Sequence, residues 1–145
     1  MAILIEPATS NDLPAILGLI ERSGLPQDGL ADHMAAALVA RDGDRVVGSA
    51  ALEMYGASAL LRSVAVDASL RGQGLGRRLT QAALDLARQR GVTGVYLLTE
   101  TAAEFFPRFG FQRIERAEVP SAVRTSVEFT SACPTSALVM RTELS

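Results

Sequence analysis

Three glycines lie between arginines in the segment RGQGLGRR, residues 71–78. The segment follows the apolar run VAV, residues 64–66, and precedes a long helical pattern. A helix N-terminus presents unpaired backbone N–H groups and the positive end of the helix dipole. Glycine lets such a backbone approach an anion closely and take dihedral angles that other residues avoid. The spacing therefore predicts a phosphate-binding loop.

Two kinds of phosphate site compete for this loop. A dinucleotide site needs Gly-x-Gly-x-x-Gly, and Gly72 and Gly74 fit its first two positions, but Arg77 stands at the third. Glu100, after the next apolar run, would have to be the acid that binds the ribose. The loop also begins about halfway along a short chain, which leaves room for one βαβ unit and not for a full dinucleotide fold. The dinucleotide site is therefore disfavoured. The alternative is a phosphate site with the spacing Arg-x-x-Gly-x-Gly, which residues 71–76 match directly after a strand and at the start of a helix.

Strands are expected where apolar residues alternate or cluster between turn residues. The first is indicated by Ile3 and Ile5. The others are expected in the segments AALVA (36–40), VVGSAALEMY (46–55), ALLRSVAV (59–66), VTGVYLLT (92–99), FQRIERAEV (111–119) and SALVMRTEL (136–144).

Helices are expected between these strands. Thr9 and Asp12 have the spacing of a capping box at the start of a first helix, which Gly24 closes. A second, short helix or turn is expected in residues 25–34, and the longest helix runs from Gly74 to Arg90. The segment TAAEFFPRFG, residues 101–110, predicts a short helix stopped by its glycine, and residues 121–130 indicate only a helical turn.

The order of elements predicts an α+β fold. Its sheet is expected to be single, mixed and mostly antiparallel, with about six to seven strands flanked by about four helices. The helix of residues 74–90 is expected to be a crossover between parallel strands that end near Val66 and Thr99. One domain is expected to span residues 1–145.

Composition narrows the function. The net charge of the 145 residues is −2, but residues 62–90 carry six arginines and two aspartates. A basic segment in an acidic protein favours a local anionic ligand over a nucleic-acid surface. No apolar run is long enough to span a membrane, and the first residues do not resemble an export signal, so a cytoplasmic protein is expected. Cys133 is the only cysteine, which excludes an internal disulfide or a cysteine-rich zinc site.

The chain resembles the GNAT N-acetyltransferase superfamily. The signature of that family, Gln/Arg-x-x-Gly-x-Gly/Ala, is matched by residues 71–76. The run VAV before it resembles the family's splayed strand, and FFPRFGF, residues 105–111, resembles the family's F-Y-x-x-x-G-F segment. The predicted order of elements is also similar, so the resemblance covers nearly the whole chain.

The resemblance implies acetyl-CoA as acetyl donor. Its pyrophosphate would bind the loop, and its pantetheine arm would run along the strand before the loop. The implied cofactor-binding residues are Val64, Ala65, Val66, Arg71, Gly72, Gln73, Gly74, Leu75, Gly76, Arg77 and Thr99. Arg78 is a further candidate for a phosphate, because a charged donor strengthens such a contact.

The resemblance also leaves the proton transfers open. The tyrosine that usually protonates the leaving thiolate is replaced by Phe106, which has no proton to donate. Tyr96 and Tyr55 are candidate substitutes. For the base, Glu53 and Glu100 are candidates to deprotonate an ammonium directly or through water.

The acceptor is predicted from a narrower resemblance. The runs LLRSVAV and YLLTETAAEFF and the C-terminal tail resemble small bacterial acetyltransferases found with arsenic-resistance genes, and more distantly the acetyltransferase domain of N-acetylglutamate synthase. That implies an amino-acid-like acceptor, with Arg62 and Arg124 as candidates to bind its carboxylates. The basic pair of those synthases before the tail serine is Pro134-Thr135 here, so a glutamate analogue is expected in place of glutamate.

Direct attack of the amine in a ternary complex is the expected mechanism. The expected partner is a small-molecule amine, with no nucleic acid or membrane, and a homodimer is left open. A non-catalytic CoA-binding or regulatory module is the alternative that the replacement at Phe106 leaves open.

Overall fold

Residues 3–144, which the computed structural model describes, form one seven-stranded sheet in the order β1-β2-β3-β4-β5-β7-β6. Neighbouring strands are antiparallel except β4 and β5, which are parallel. The strands are β1 (Ile3–Pro7), β2 (Ala37–Asp42), β3 (Arg45–Tyr55), β4 (Ser58–Val66), β5 (Gly94–Thr99), β6 (Gln112–Ile114) and β7 (Leu138–Glu143).

Helical segments connect the strands. The α-helices are α1 (Leu13–Arg22), α2 (Leu75–Gln89) and α3 (Ser121–Arg124). Short 3₁₀ segments span Ser10–Asp12, Leu30–Ala36, Ala68–Leu70, Phe106–Phe109 and Arg116–Glu118, and Glu128–Ala132 forms one π-helical turn.

The amphipathic helix α2 covers one face of the sheet. Leu79, Ala83 and Ala87 recur at four-residue spacing and are buried against alternate residues of the central strands, such as Leu52 and Leu61. As predicted, this helix joins the parallel strands β4 and β5. The first turn of α2 is therefore fixed against the end of β4.

The opposite face carries two separate apolar clusters. Ile16 and Ile20 of α1 pack with Val39 in one of them. Leu60 and Tyr96 pack with residues of α3 and β7 in the other. Polar residues of β3 and β4 lie between these clusters, and they form part of the site described below.

The structure confirms the predicted fold class and most elements. Thr9 and Asp12 form the capping box, with the Thr9 amide donating to Asp12 Oδ2 at 2.8 Å. The strand expected over residues 111–119 is shorter, because Glu118 accepts a hydrogen bond from the Glu115 amide at 2.8 Å and turns the chain away after Ile114. Among the described residues, no helix is long and apolar enough to cross a membrane.

Candidate active site

A cleft opens where the two parallel strands separate. The strands β4 and β5 pair only near their starts, and Leu60 opposite Tyr96 is the last pair. Beyond it a cavity of about 680 Å³ lies between Leu61–Val66 on one side and Leu97–Ala102 on the other. Unpaired strand backbone therefore faces the cleft, where it is available to a bound molecule.

A β-bulge shapes the β4 wall of the cleft. The register between β3 and β4 shifts between Ser49 and Ala51, and Ser63 lies in the left-handed region with a φ of 58°. The Ser49 hydroxyl donates to the Ser63 carbonyl at 2.7 Å, and both residues are buried. Bulges redirect the backbone and are frequent beside active sites. Because of this bulge, residues 64–66 point to the opposite faces of the sheet from those that the alternation at the start of β4 would give them.

The glycine loop lies at the end of the same cleft. Gly74 caps α2 with a φ of 85°, and Gly72 has a φ of 81°. A second cavity of about 390 Å³ lies between this loop and Phe105. Val66 and Arg71 border both cavities, so the loop and the cleft are adjoining parts of one surface.

The first turn of α2 supplies anion donors. The first hydrogen bond of the helix runs from the Arg78 amide to the Gly74 carbonyl at 3.1 Å, so the amides of residues 75–77 have no intrahelical partner. Arg71 is exposed, and its Nε donates to the Val66 carbonyl at 3.3 Å.

Arginines extend the basic surface beyond the loop. A third, open cavity of about 640 Å³ is bordered by Arg77, Arg78 and Arg108. All three residues are exposed, and Asp85 is the acidic residue on the same wall. The loop end of the cleft is therefore positively charged.

A buried ionic cluster lies on the β4 side of the cleft. Arg62 Nη1 is 2.8 Å from Glu53 Oε2, and both side chains are fully buried. Arg62 Nε lies 3.4 Å from Glu128 Oε2 and donates to Ser63 Oγ at 3.2 Å. One guanidinium thus faces two carboxylates beside the bulge.

The two carboxylates of this cluster have different environments. Burial raises the pKa of Glu53, but hydrogen bonds from Ser126, Tyr55 and Arg62 outweigh it, so the pKa lies below its ordinary value. The Tyr55 hydroxyl donates to Glu53 Oε1 at 2.5 Å. Burial raises the pKa of Glu128 to about 7 despite the opposing charge of Arg62. Glu53 therefore stays ionised, and Glu128 titrates near neutral pH.

The family model of the GNAT acetyltransferase domain matches residues 34–113. This match includes the splayed strands, the glycine loop and α2. The chain belongs to the GNAT acetyltransferase family. Acetyl-CoA, the predicted cofactor, is the acetyl donor of this family.

Relatives of known sequence support the assignment. An uncharacterized N-acetyltransferase of Chlorobaculum tepidum is 31% identical over 97 residues, which are 66% of this chain and 62% of that protein. An amino-acid acetyltransferase of Mycobacterium tuberculosis is 38% identical over 81 residues, 54% of this chain and 45% of that protein. The alignments thus span about half of the length of these curated relatives.

A solved structure has a similar fold over nearly the whole length of the chain. The Mycobacterium tuberculosis protein Rv2747, in a complex with CoA and NLQ, superposes with a TM-score of 0.81 at 26% identity. The superposition covers 98% of this chain and 99% of that one.

The structure brings most of the predicted cofactor residues together. In this GNAT domain the cleft and loop cavities are bordered by Val64, Ala65, Val66, Arg71, Gly72, Gly74, Leu75, Gly76, Arg77 and Thr99. Gln73 is exposed at the tip of the loop and borders neither cavity.

The predicted catalytic and acceptor residues are more dispersed. Glu100 is exposed on the cleft wall, while Tyr96 is buried in an apolar cluster, with its hydroxyl towards Gly94 at the start of β5. Arg62 borders the cleft, but its guanidinium is paired with carboxylates. Arg124 is exposed on α3 and does not border the cleft.

Two titratable residues of the C-terminal tail border the cleft and are absent from the sequence-based candidates. Glu128 is only 4% exposed, and Cys133 lies beside it. Burial and the Glu128 charge raise the pKa of the Cys133 thiol to about 12. No local motif marks Glu128, because its environment depends on how the tail packs against β3 and β4. Among residues 3–144, no group of acidic, histidine and cysteine side chains is arranged to bind a metal ion.

Proposed function

We propose that this GNAT protein transfers the acetyl group of acetyl-CoA to the amine of a small, amino-acid-like acceptor, by direct attack in a ternary complex. The continuity of the two cavities carries the proposal. Because Val66 and Arg71 border both, a cofactor whose phosphates bind the loop extends naturally into the cleft. The cleft then has room for an acceptor beside the thioester.

The donor is bound mainly by backbone groups. The pyrophosphate accepts hydrogen bonds from the free amides of α2 and from Arg77, whose charge strengthens the contact. The pantetheine arm runs along residues 64–66 and pairs with the strand backbone, opposite Thr99. A backbone N–H of this strand stabilises the oxyanion as the tetrahedral intermediate forms.

Direct transfer, without an acetyl-enzyme intermediate, fits the chemistry of the cleft. Cys133 is the thiol that borders it, and a pKa of about 12 keeps this thiol protonated at neutral pH. A thiol is a far weaker nucleophile than a thiolate. The acceptor amine itself is therefore the nucleophile.

We propose a glutamate analogue as the acceptor class. The relative named amino-acid acetyltransferase is 38% identical over its aligned part, which supports an α-amino acceptor. Arg62, which borders the cleft, and Arg124 remain the proposed carboxylate ligands, and Arg124 would reach the acceptor only from outside the cleft. An acceptor carboxylate would approach Arg62 from the cleft while Glu53 and Glu128 stay paired with it.

The roles of the other predicted residues are separable by substitution. As candidates for the base, Glu100 borders the cleft and could contact the acceptor directly, whereas Glu53 does not border it and could act only through water. Tyr96 is buried and does not border the cleft, so it could protonate the leaving thiolate only through other hydrogen-bonding groups that lie between them. Glu100→Gln, Glu53→Gln and Tyr96→Phe each test one of these assignments by their effect on kcat.

Two measurements test the proposed function. Thermal stability is compared with acetyl-CoA, CoA and NAD, and stabilisation by the first two only is expected. Release of free CoA thiol is then followed over a panel of L-amino acids and glutamate analogues. The proposal is wrong if acetyl-CoA does not stabilise the protein, or if no amine accelerates thiol release above background hydrolysis.

Phe106 favours the alternative of a CoA-binding module without catalysis. Its ring borders the cleft at the position where the family resemblance implies a tyrosine acid. Stabilisation by CoA without thiol release to any amine would support that alternative.

The predicted link to arsenic resistance rests on the resemblance alone. It is tested by whether expression of the gene restores growth of a sensitive strain on arsenicals.

A further inference from the structure

Glu128 borders the cleft beside Arg62 of β4. Its Oε2 is 3.4 Å from Arg62 Nε, and the same nitrogen donates to Ser63 Oγ at 3.2 Å. Ser63 forms the bulge, and the strand backbone that follows it borders the cleft. Glu128 is therefore two short contacts from the wall along which the thioester is proposed to bind.

Charge in this cluster is unbalanced. The guanidinium of Arg62 is shared by Glu53 and Glu128, and His33 lies 3.7 Å from Glu53 Oε1. With a neutral His33, the cluster therefore carries one excess negative charge when both carboxylates are ionised. Burying an uncompensated charge is costly. An ammonium group that enters the cleft supplies the missing positive charge, and proton transfer from it to Glu128 leaves a neutral acid and a neutral amine.

The other carboxylates are less suited to this task. Glu53 is committed to Arg62 and Tyr55 and does not border the cleft. Glu100 borders the cleft but is exposed, so water screens its interaction with an ammonium. Glu128 combines access to the cleft with near-complete burial.

We infer that Glu128 is the general base that deprotonates the acceptor ammonium, and that it selects acceptors with a cationic amine. This inference rests on the proposed function. One proton passes from the ammonium nitrogen to Glu128, and the nitrogen lone pair then forms a bond to the thioester carbonyl carbon. The carbon–sulfur bond breaks, CoA leaves as thiolate, and the second nitrogen proton neutralises the thiolate. Glu128 returns its proton to solvent through the cleft.

The groups around Glu128 determine when it accepts a proton. Arg62 on β4 favours its ionised form, while Glu53 on β3 and burial disfavour it. The Cys133 thiol, on the other side of the π-helical turn, remains protonated and is a hydrogen-bond donor to the ionised form. Together these groups set the pKa of Glu128 at about 7, which is suited to a base at neutral pH.

The test compares Glu128→Gln with Glu104→Gln, the same change at an exposed residue that does not border the cleft. The probe is the fastest acceptor in the amino-acid and glutamate-analogue panel, and kcat/KM is measured by thiol release from about pH 5.5 to 9.5. Glu128→Gln is expected to lower kcat/KM at pH 7 by about 10²- to 10⁴-fold, the usual contribution of a general base. The deficit should shrink at alkaline pH, where the amine loses its proton unaided. CoA affinity, measured by calorimetry, should not change, and Glu104→Gln should remain within about threefold of the parent protein.

Three outcomes would overturn the inference. If Glu128 has only a structural role, Glu128→Gln lowers kcat/KM by the same factor at every pH. If Glu128→Gln keeps the parent rate and pH profile, Glu128 is not the general base, and the proposed acetyl transfer is unaffected. A parent protein that binds CoA but turns over no amine in the panel rejects the proposed function together with the inference.

Discussion

Arg62 and Glu53 form a fully buried ion pair, with Nη1 and Oε2 2.8 Å apart, on adjacent strands at the edge of the cleft. The pair lies between the two apolar clusters of this sheet face, and Glu128 completes it from the tail. Arg62 therefore links the hairpin of β3 and β4 to the π-helical turn of the tail, which is distant in sequence. Its structural role is separate from the carboxylate-binding role that the sequence predicts for it.

Replacing Arg62 by methionine is expected to destabilise the protein strongly. The change removes the guanidinium that two buried carboxylates share, and removing one partner of a buried pair typically costs about 3–5 kcal/mol. Urea unfolding at neutral pH measures the loss. Arg88→Met is the matched control, because the pair of Arg88 with Asp85 is exposed and is expected to contribute less than about 1 kcal/mol. Equal losses in the two variants would contradict the structural role of Arg62.

The stability of the protein should depend on pH through Glu128. The pKa of this group is about 7 in the folded protein against 4.5 for an ordinary glutamate. Between these values the folded state holds a proton that the unfolded chain has lost, so stability falls as pH rises. The Glu128→Gln variant cannot bind this proton. Its free energy of unfolding relative to the parent should therefore rise by on the order of 3 kcal/mol between about pH 5 and 8. Denaturant unfolding at both pH values checks this, and a constant difference would argue against the raised pKa.

Local sequence was sufficient to predict the glycine loop and the helix that follows it. The glycine loop was predictable because its chemistry resides in one segment, where left-handed glycines precede a helix that begins at Leu75. The parallel crossover followed from the hydrophobic period of that helix and from the apolar runs on either side.

The acceptor side was not predictable in the same way. Glu128 belongs to a tail segment without clear periodicity, and only tertiary packing against Arg62 gives its carboxylate a distinctive environment. The bulge at Ser63 also lacks a local signal, because a glycine is the usual residue at positive φ. Sequence therefore suggested Arg62 as a ligand of the acceptor's carboxylate. It did not indicate that two carboxylates of the protein already share the charge of Arg62.

Ser63 should tolerate glycine better than valine. Its φ of 58° lies in the left-handed region, where a β-branched side chain is strained and glycine is not. Ser63→Gly loses the contact with Arg62 Nε but relieves backbone strain, so its unfolding free energy should stay within about 1 kcal/mol of the parent. Ser63→Val should lose about 2 kcal/mol or more. Similar urea midpoints for the two variants would show that the bulge does not constrain this residue.

Gly76→Asp should separate cofactor binding from stability. Gly76 lies in the first turn of α2, where a carboxylate is favourable to the helix dipole, so stability should not fall by more than a few tenths of a kcal/mol. The same carboxylate faces the proposed pyrophosphate site and repels it, so CoA should no longer raise the melting temperature. Gly76→Ala is the control: its Cβ would lie 3.7 Å from Phe105 and Val66, an ordinary contact, and binding should survive. Calorimetric titration with CoA decides the matter, because unchanged affinity in Gly76→Asp places the phosphates elsewhere.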